Sequence, residues 1–252
     1  MKELIKNKIE RLKEEKGIRV LYAAESGSRA WGFESPDSDY DVRLIYTFPQ
    51  KRYLQVEPVM EDINLPVDEN LLDLSGWELM KAARLVVNKS NASPFEWIQS
   101  PIIYEEVEGF REEFTKTIQA YFNPSLMVFH YLGLAKGTYF KFLQGDKIQI
   151  KKYFYALRPI LCALWILERN EVAPLVFDQV RTVLREKHIT EAIEALLKEK
   201  EWADEGHLIA PVDVLQEFIA VSLERITDLV KVRAANAADS GRMNQFLWKW
   251  IC

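Results

Sequence analysis

The chain has 252 residues, of which 48% are hydrophobic and 28% charged, and a formal net charge of −5. That balance fits a folded globular protein, and its acidic total argues against a non-specific nucleic-acid binder while leaving room for a local basic cleft. No apolar run approaches the roughly 20 residues of a membrane span. The charged N-terminus, Met1 to Lys8, is unlike a signal peptide, and Cys162 and Cys252 suggest no disulfide framework, so a cytoplasmic location is expected.

In chain order, Lys2 to Lys16 reads as an amphipathic helix stopped by Gly17. The apolar run Arg19 to Ala24 reads as a strand, Glu25 to Asp41 as a glycine turn, short helix and loop, and Val42 to Tyr46 as a second strand. Pro49 to Leu54 allows one or two helical turns. Val56 to Ile63 and Asn70 to Leu74 read as further strands around the Pro66-Val67-Asp68 turn, and Ser75 to Val87 as a helix capped by Ser75. Asn88 to Pro101 reads as a capped short helix with Phe95, Trp97 and Ile98 in the core.

From Glu105 onward the patterns are helical, over 106–121, 124–143, 151–169, 175–185, 190–202, 212–235 and 241–250. Ala234 to Gly241 reads as a helix end frayed into a turn, with Phe246, Trp248 and Trp250 packing back on the body. The expected fold is therefore α+β, a small mixed sheet with flanking helices followed by an all-helical lobe. The expected domains are 1–110, catalytic, and 111–252, helical.

The stretch with chemical content is Glu25-Ser26-Gly27-Ser28-Arg29-Ala30-Trp31-Gly32-Phe33-Glu34-Ser35-Pro36-Asp37-Ser38-Asp39-Tyr40-Asp41-Val42-Arg43. Gly27 and Ser28 offer backbone N–H groups at a helix start, which suits a phosphate, and Gly27 lets a ligand approach the backbone. Asp39 and Asp41, two apart at a strand start, point their carboxylates to one face from Cα atoms about 6 to 7 Å apart. Hard oxygen ligands so placed suit Mg²⁺ or Mn²⁺. Rival readings fail on particular letters. An EF-hand loop needs glycine where Val42 stands and glutamate where Phe48 stands. A P-loop needs Lys-Ser/Thr where Phe33-Glu34 stand. His130, His188 and His207 form no zinc motif, and there is no Gly-x-Ser-x-Gly elbow.

Gly-Ser, a spacer of roughly ten residues and Asp-x-Asp on a strand resemble the polymerase-β-like nucleotidyltransferase superfamily. The longer pattern, with Trp31, Ser38-Asp39-Tyr40-Asp41 and Arg43, resembles its predicted bacterial and phage nucleotidyltransferases. So does Lys89-Ser90-Asn91 followed by Glu96-Trp97 and Ser100-Pro101.

The resemblance implies a metal-dependent transfer of a nucleoside monophosphate from an NTP such as ATP to an acceptor hydroxyl, with pyrophosphate released. It implies a third carboxylate on a neighbouring strand, for which Asp73 is the candidate, ahead of Asp62 and Asp68. Asp39, Asp41 and Asp73 are then the catalytic and metal-binding residues. Gly27, Ser28, Arg29 and Arg43 belong to the nucleotide side, Arg43 serving either the phosphates or the carboxylates. In the helical lobe, Lys151-Lys152-Tyr153-Phe154-Tyr155-Ala156-Leu157-Arg158-Pro159 matches a pattern of the same family and implicates Lys152 and Arg158 in phosphate binding. The acceptor stays open between a small molecule, a protein side chain and an RNA end. Two rivals remain: a nucleotide-binding regulatory or antitoxin-like protein without turnover, and an RNA-end-modifying nucleotidyltransferase.

Overall fold

The computed structural model describes residues 1–230 and 239–252. Helix α1 (Lys2–Lys16) ends where Gly17 turns left-handed at φ 62° and donates its N–H to the Lys13 carbonyl. There follow β1 (Arg19–Glu25), α2 (Gly27–Trp31), β2 (Tyr40–Thr47), α3 (Gln50–Tyr53), β3 (Asp62–Asn64), β4 (Leu72–Glu78), α4 (Leu79–Lys89), α5 (Ala92–Trp97), β5 (Ile103–Glu106) and α6 (Phe110–Gln119). The five strands form one mixed sheet in the order β3-β4-β2-β1-β5. Strands β2 and β4 run parallel, and the other pairs are antiparallel.

Strand periodicity decides which face carries chemistry. Val42, Leu44 and Tyr46 of β2 and Leu72 and Leu74 of β4 lie in one buried cluster with Ile5, Ile9 and Leu12 of α1. The intervening Asp41, Arg43 and Asp73 belong to the opposite face. The two strands pack closely at Gly76, where an added Cβ would stand 2.7 Å from the Leu44 Cβ and 3.1 Å from its carbonyl oxygen. Gly76→Ala is therefore expected to cost about 1–3 kcal/mol by overpacking, read as a lower melting temperature of the full chain.

Several boundaries differ from the sequence reading, among them the helix expected over 175–185, which is only Phe177–Val180 and a 3₁₀ turn at Arg181–Val183. The helix expected from Ser75 begins only at Leu79, because Ser75, Gly76, Trp77 and Glu78 continue β4 in register with Arg43, Leu44, Ile45 and Tyr46. Glu78, not Ser75, caps α4, its side chain accepting from the Met80 and Lys81 N–H groups. The strand expected over 56–63 shrinks to Asp62–Asn64. The helix expected over 106–121 begins only at Phe110, after β5, which pairs with β1 and ends at Glu106, and a turn through Gly109 at φ 79°. The short helix after Asn91 is as expected: Asn91 accepts the Ser93 N–H, and Phe95, Trp97 and Ile98 are buried.

The later helices are α7 (Pro124–Phe142), α8 (Ile150–Arg169), α9 (Phe177–Val180) leading into a 3₁₀ turn at Arg181–Val183, α10 (Lys187–Lys200), α11 (Asp213–Leu229) and α12 (Gly241–Ile251). A two-stranded ladder joins β6 (Ile148–Gln149) to β7 (Leu208–Ile209). Of the helix expected over 212–235, residues 213–229 are seen; the part over 231–235 and most of the turn expected at 234–241 lie outside the described residues. Among the described residues, no helix is long and apolar enough to cross a membrane.

The described residues fall into two units, neither continuous in sequence. The sheet unit comprises 1–30, 39–122 and 239–252; the helical unit comprises 31–38 and 123–230. The expected division at 110/111 is a single cut. The observed one follows the packing of α12, whose Phe246 and Trp250 rings meet Phe110 and Phe114 of α6. Trp248, expected to pack with them, is exposed. In the helical unit the segment 31–38 is held by polar side chains: the Lys200 ammonium donates to Ser35 Oγ at 2.6 Å and the Ser38 hydroxyl to Glu205 at 3.0 Å.

Candidate active site

Asp41 and Asp73 stand opposite each other in the parallel β2–β4 register, so the same face of two adjacent strands carries both carboxylates. The Arg43 guanidinium lies between them, one nitrogen donating to Asp41 Oδ1 at 2.7 Å and to Asp73 Oδ2 at 2.9 Å. Its other terminal nitrogen donates to the Asp73 carbonyl at 3.1 Å. Arg43 thus bridges the two carboxylates. Asp73 sits within a strand and not at a helix start, which removes the explanation of that acid as a favourable helix-terminal charge.

Burial pushes the Asp41 carboxyl up to about 6; Arg43 opposes the shift, and the negative charges of Asp73 and Asp39 add to it. Asp39 precedes β2, where its carbonyl oxygen accepts the Arg29 Nε–H at 3.1 Å. The Arg29 guanidinium lies 3.9 Å from the Tyr40 ring centroid. Gly27, at φ 61°, abuts the Asp41 carboxylate so closely that a Cβ there would stand 1.9 Å from Oδ2. Ser28 is buried beside it in α2. Gly27, Ser28, Arg29, Asp39, Asp41, Arg43 and Asp73 therefore all belong to the sheet unit.

Lys152 and Arg158 lie on α8 of the helical unit. The Lys152 ammonium is 4.2 Å from the Phe142 ring centroid, and burial, with Lys151 nearby, lowers its pKa. Arg158 is 3% exposed, with its guanidinium 4.4 Å from the Trp31 ring centroid. Its Nε and one terminal nitrogen donate to the Leu175 carbonyl.

The sequence reading missed Glu25, the last residue of β1. It is almost fully buried, accepts the Asp41 N–H at 2.7 Å and accepts the Tyr104 hydroxyl through its other oxygen. Burial raises its pKa. An acid closing the apolar run Val20 to Ala24 was the available signal, because a carboxylate in such a place needs built-in donors.

Among the described residues, no three or more His, Cys, Asp or Glu side chains form a group that could hold a metal ion unaided. Magnesium is, however, commonly held by one or two carboxylates, with water and substrate phosphate supplying the rest. The Asp41–Asp73 pair, opposite one another on adjacent strands, is a donor set of that kind.

The curated relative "Uncharacterized protein YcgL" of Bacillus subtilis (strain 168) is 39% identical over 249 residues, 98% of this chain and 95% of that protein. The solved structure of a nucleotidyltransferase-like protein from Exiguobacterium sibiricum 255-15 matches 97% of this chain and 80% of that one at 14% identity. Its TM-score of 0.32 is too low to carry an argument. The family model for RlaP, described as the RNA repair pathway DNA polymerase beta family, matches residues 1–249. Taken with the 39% relative, that match over nearly the whole length shows that the chain belongs to the RlaP family.

Proposed function

We propose that the protein transfers a nucleoside monophosphate from an NTP to an acceptor hydroxyl and releases pyrophosphate. Family membership supports nucleotidyl transfer in general. The observation that carries the finer reading is the register pair Asp41–Asp73 with Arg43 bridging it. Two partly buried carboxylates facing one another across a strand pair, with only one guanidinium between them, are poised for further positive charge. Asp41 and Asp73 would hold Mg²⁺ or Mn²⁺, with Asp39 as the further ligand that the family resemblance implies; the bound ion would polarise the α-phosphate and neutralise charge on the leaving group.

The chain's own groups do the rest. In the reaction the acceptor oxygen bonds to the α-phosphorus, the bond from that phosphorus to the bridging oxygen breaks, and pyrophosphate leaves with the electron pair. Asp73 takes the hydroxyl proton directly or through water. The N–H groups of Gly27 and Ser28 serve the β and γ phosphates, and Arg43, released from its carboxylates by substrate, turns its donors to the same oxygens. Arg29 acts on Asp39 through its backbone.

The family's description names RNA repair, and on that basis the acceptor is proposed to be an RNA end. The test is pyrophosphate release from each of the four NTPs with Mg²⁺, with and without a single-stranded RNA carrying a free 3′-hydroxyl. RNA-dependent release, with label joined to the oligonucleotide, is expected. Asp39→Asn and Asp73→Asn should each reduce it by about two orders of magnitude or more. Arg43 already spanning Asp41 and Asp73 favours one second reading, a nucleotide-binding regulator without turnover. Calorimetric binding of Mg·ATP with no pyrophosphate formed under any acceptor would establish that reading instead.

A further inference from the structure

Three consecutive residues, from the last of β1 to the first of α2, grip Asp41, each taking a different part of it. Glu25 Oε1 accepts its backbone N–H at 2.7 Å, the Ser26 N–H donates to its carbonyl oxygen at 2.8 Å, and Gly27 leaves the space its carboxylate fills. The β1–β2 ladder explains the arrangement. Glu25 pairs with Val42, and beyond that pair the chain turns away into α2. The Asp41 N–H is thereby left without a backbone acceptor on that side, and a buried donor left so would be costly. The Glu25 side chain replaces the missing carbonyl, and Tyr104 of β5 fixes its second oxygen.

A plain strand end could be closed by water or by a neutral side chain. This one uses a carboxylate 1% exposed whose two oxygens are both taken by neutral donors, the Asp41 amide and the Tyr104 phenol. Burial of such a group is expensive. What the expense secures is the position of one residue, the acid that meets Asp73 across the strand pair.

We propose that Glu25 is a positioning residue for nucleotidyl transfer: through the Asp41 amide it sets where along β2 the Asp41 carboxylate meets Asp73, and Tyr104 locks that setting. The inference rests on the proposed reaction for its kinetic consequence and on geometry alone for the contact. Glu25 touches neither the substrate nor the reacting atoms.

The full chain, ¹⁵N-labelled, is compared as wild type, E25Q, E25A and Y104F by amide resonance of Asp41, thermal unfolding and steady-state turnover. E25A is expected to shift the Asp41 amide upfield and lower kcat about 30-fold, with KM for the NTP within about twofold. E25Q keeps an acceptor oxygen and should restore most of the rate, and Y104F, which removes one hydroxyl, should cost about threefold. A purely structural Glu25 would lower the melting temperature and leave kcat of the folded fraction unchanged, which overturns the proposal. So does an Asp41 amide that does not move in E25A, or, should E25A not fold, in Y104F. If the wild type itself turns over no NTP, the reaction is misassigned, and the Asp41 amide alone then decides whether the contact exists.

Discussion

Asp41→Asn is expected to abolish turnover, by about three orders of magnitude or more, and at the same time to raise the melting temperature. The first half follows from removing the most buried charge of the acidic face, on which transition-state electrostatics would depend. The second follows from the sign of its pKa shift. Burial raises the Asp41 pKa to about 6 in the folded chain, from 3.8 when exposed. The folded state therefore holds this proton more tightly than the unfolded state. Its contribution favours folding at low pH, is lost as pH rises from about 4 to about 6, and stays lost at neutral pH.

A displacement of that size corresponds to roughly 3 kcal/mol. Asparagine removes that net penalty, in which the 2.7 Å contact with Arg43 is already counted, but must fill the carboxylate's buried polar positions with an amide. A net gain of about 1–2 kcal/mol remains. Thermal unfolding of both proteins at pH 4 and pH 7.5 checks this: the variant should gain at pH 7.5 and little at pH 4. Mg²⁺ with NTP should reverse the order, stabilising the wild type and not the variant, because only a state with affinity for a ligand is stabilised by it. Equal melting temperatures at both pH values would mean that Asp41 carries no buried-charge cost.

Gly27→Ala is expected to remove activity by about two orders of magnitude or more and to destabilise the fold, for two separable reasons. The φ of 61° disfavours any side chain, at about 1 kcal/mol. The new Cβ would also overlap Asp41 Oδ2, at 1.9 Å. The carboxylate must move, and Arg43 and Asp73 with it. Gly17→Ala is the matched control, since Gly17 has φ 62° and open space around its Cβ position. It should lose about 1 kcal/mol of stability and keep full turnover. If the two variants behave alike, the contact of Gly27 with Asp41 is not what requires glycine there.

The part of this site carried by short-range spacing was legible. Asp41 just ahead of the apolar run Val42 to Tyr46 announces the end of a strand, and Gly27 before Ser28 announces a turn. What spacing cannot announce is which strand lies alongside. Ser75 is a good helix cap, so the sequence reads Asp73 as standing beside a helix start. Its parallel pairing with β2, against Leu44 at Gly76, overrides that local preference. β5 was hidden for the same reason, since four residues become a strand only because β1 offers them an edge. Glu25 escaped because a lone acid has no period. Its meaning comes from Asp41 and Tyr104, 16 and 79 residues away.

The packing of α12 against α6 sets an order of events during synthesis. Phe110 and Phe114 emerge from the ribosome more than 130 residues before Phe246 and Trp250, the rings that complete their cluster. Until α12 emerges, the nascent sheet unit carries an uncovered aromatic surface, of the sort that chaperones bind. A protein cut short before Gly241 would keep every acid discussed above and still lack the last wall of the unit that carries them.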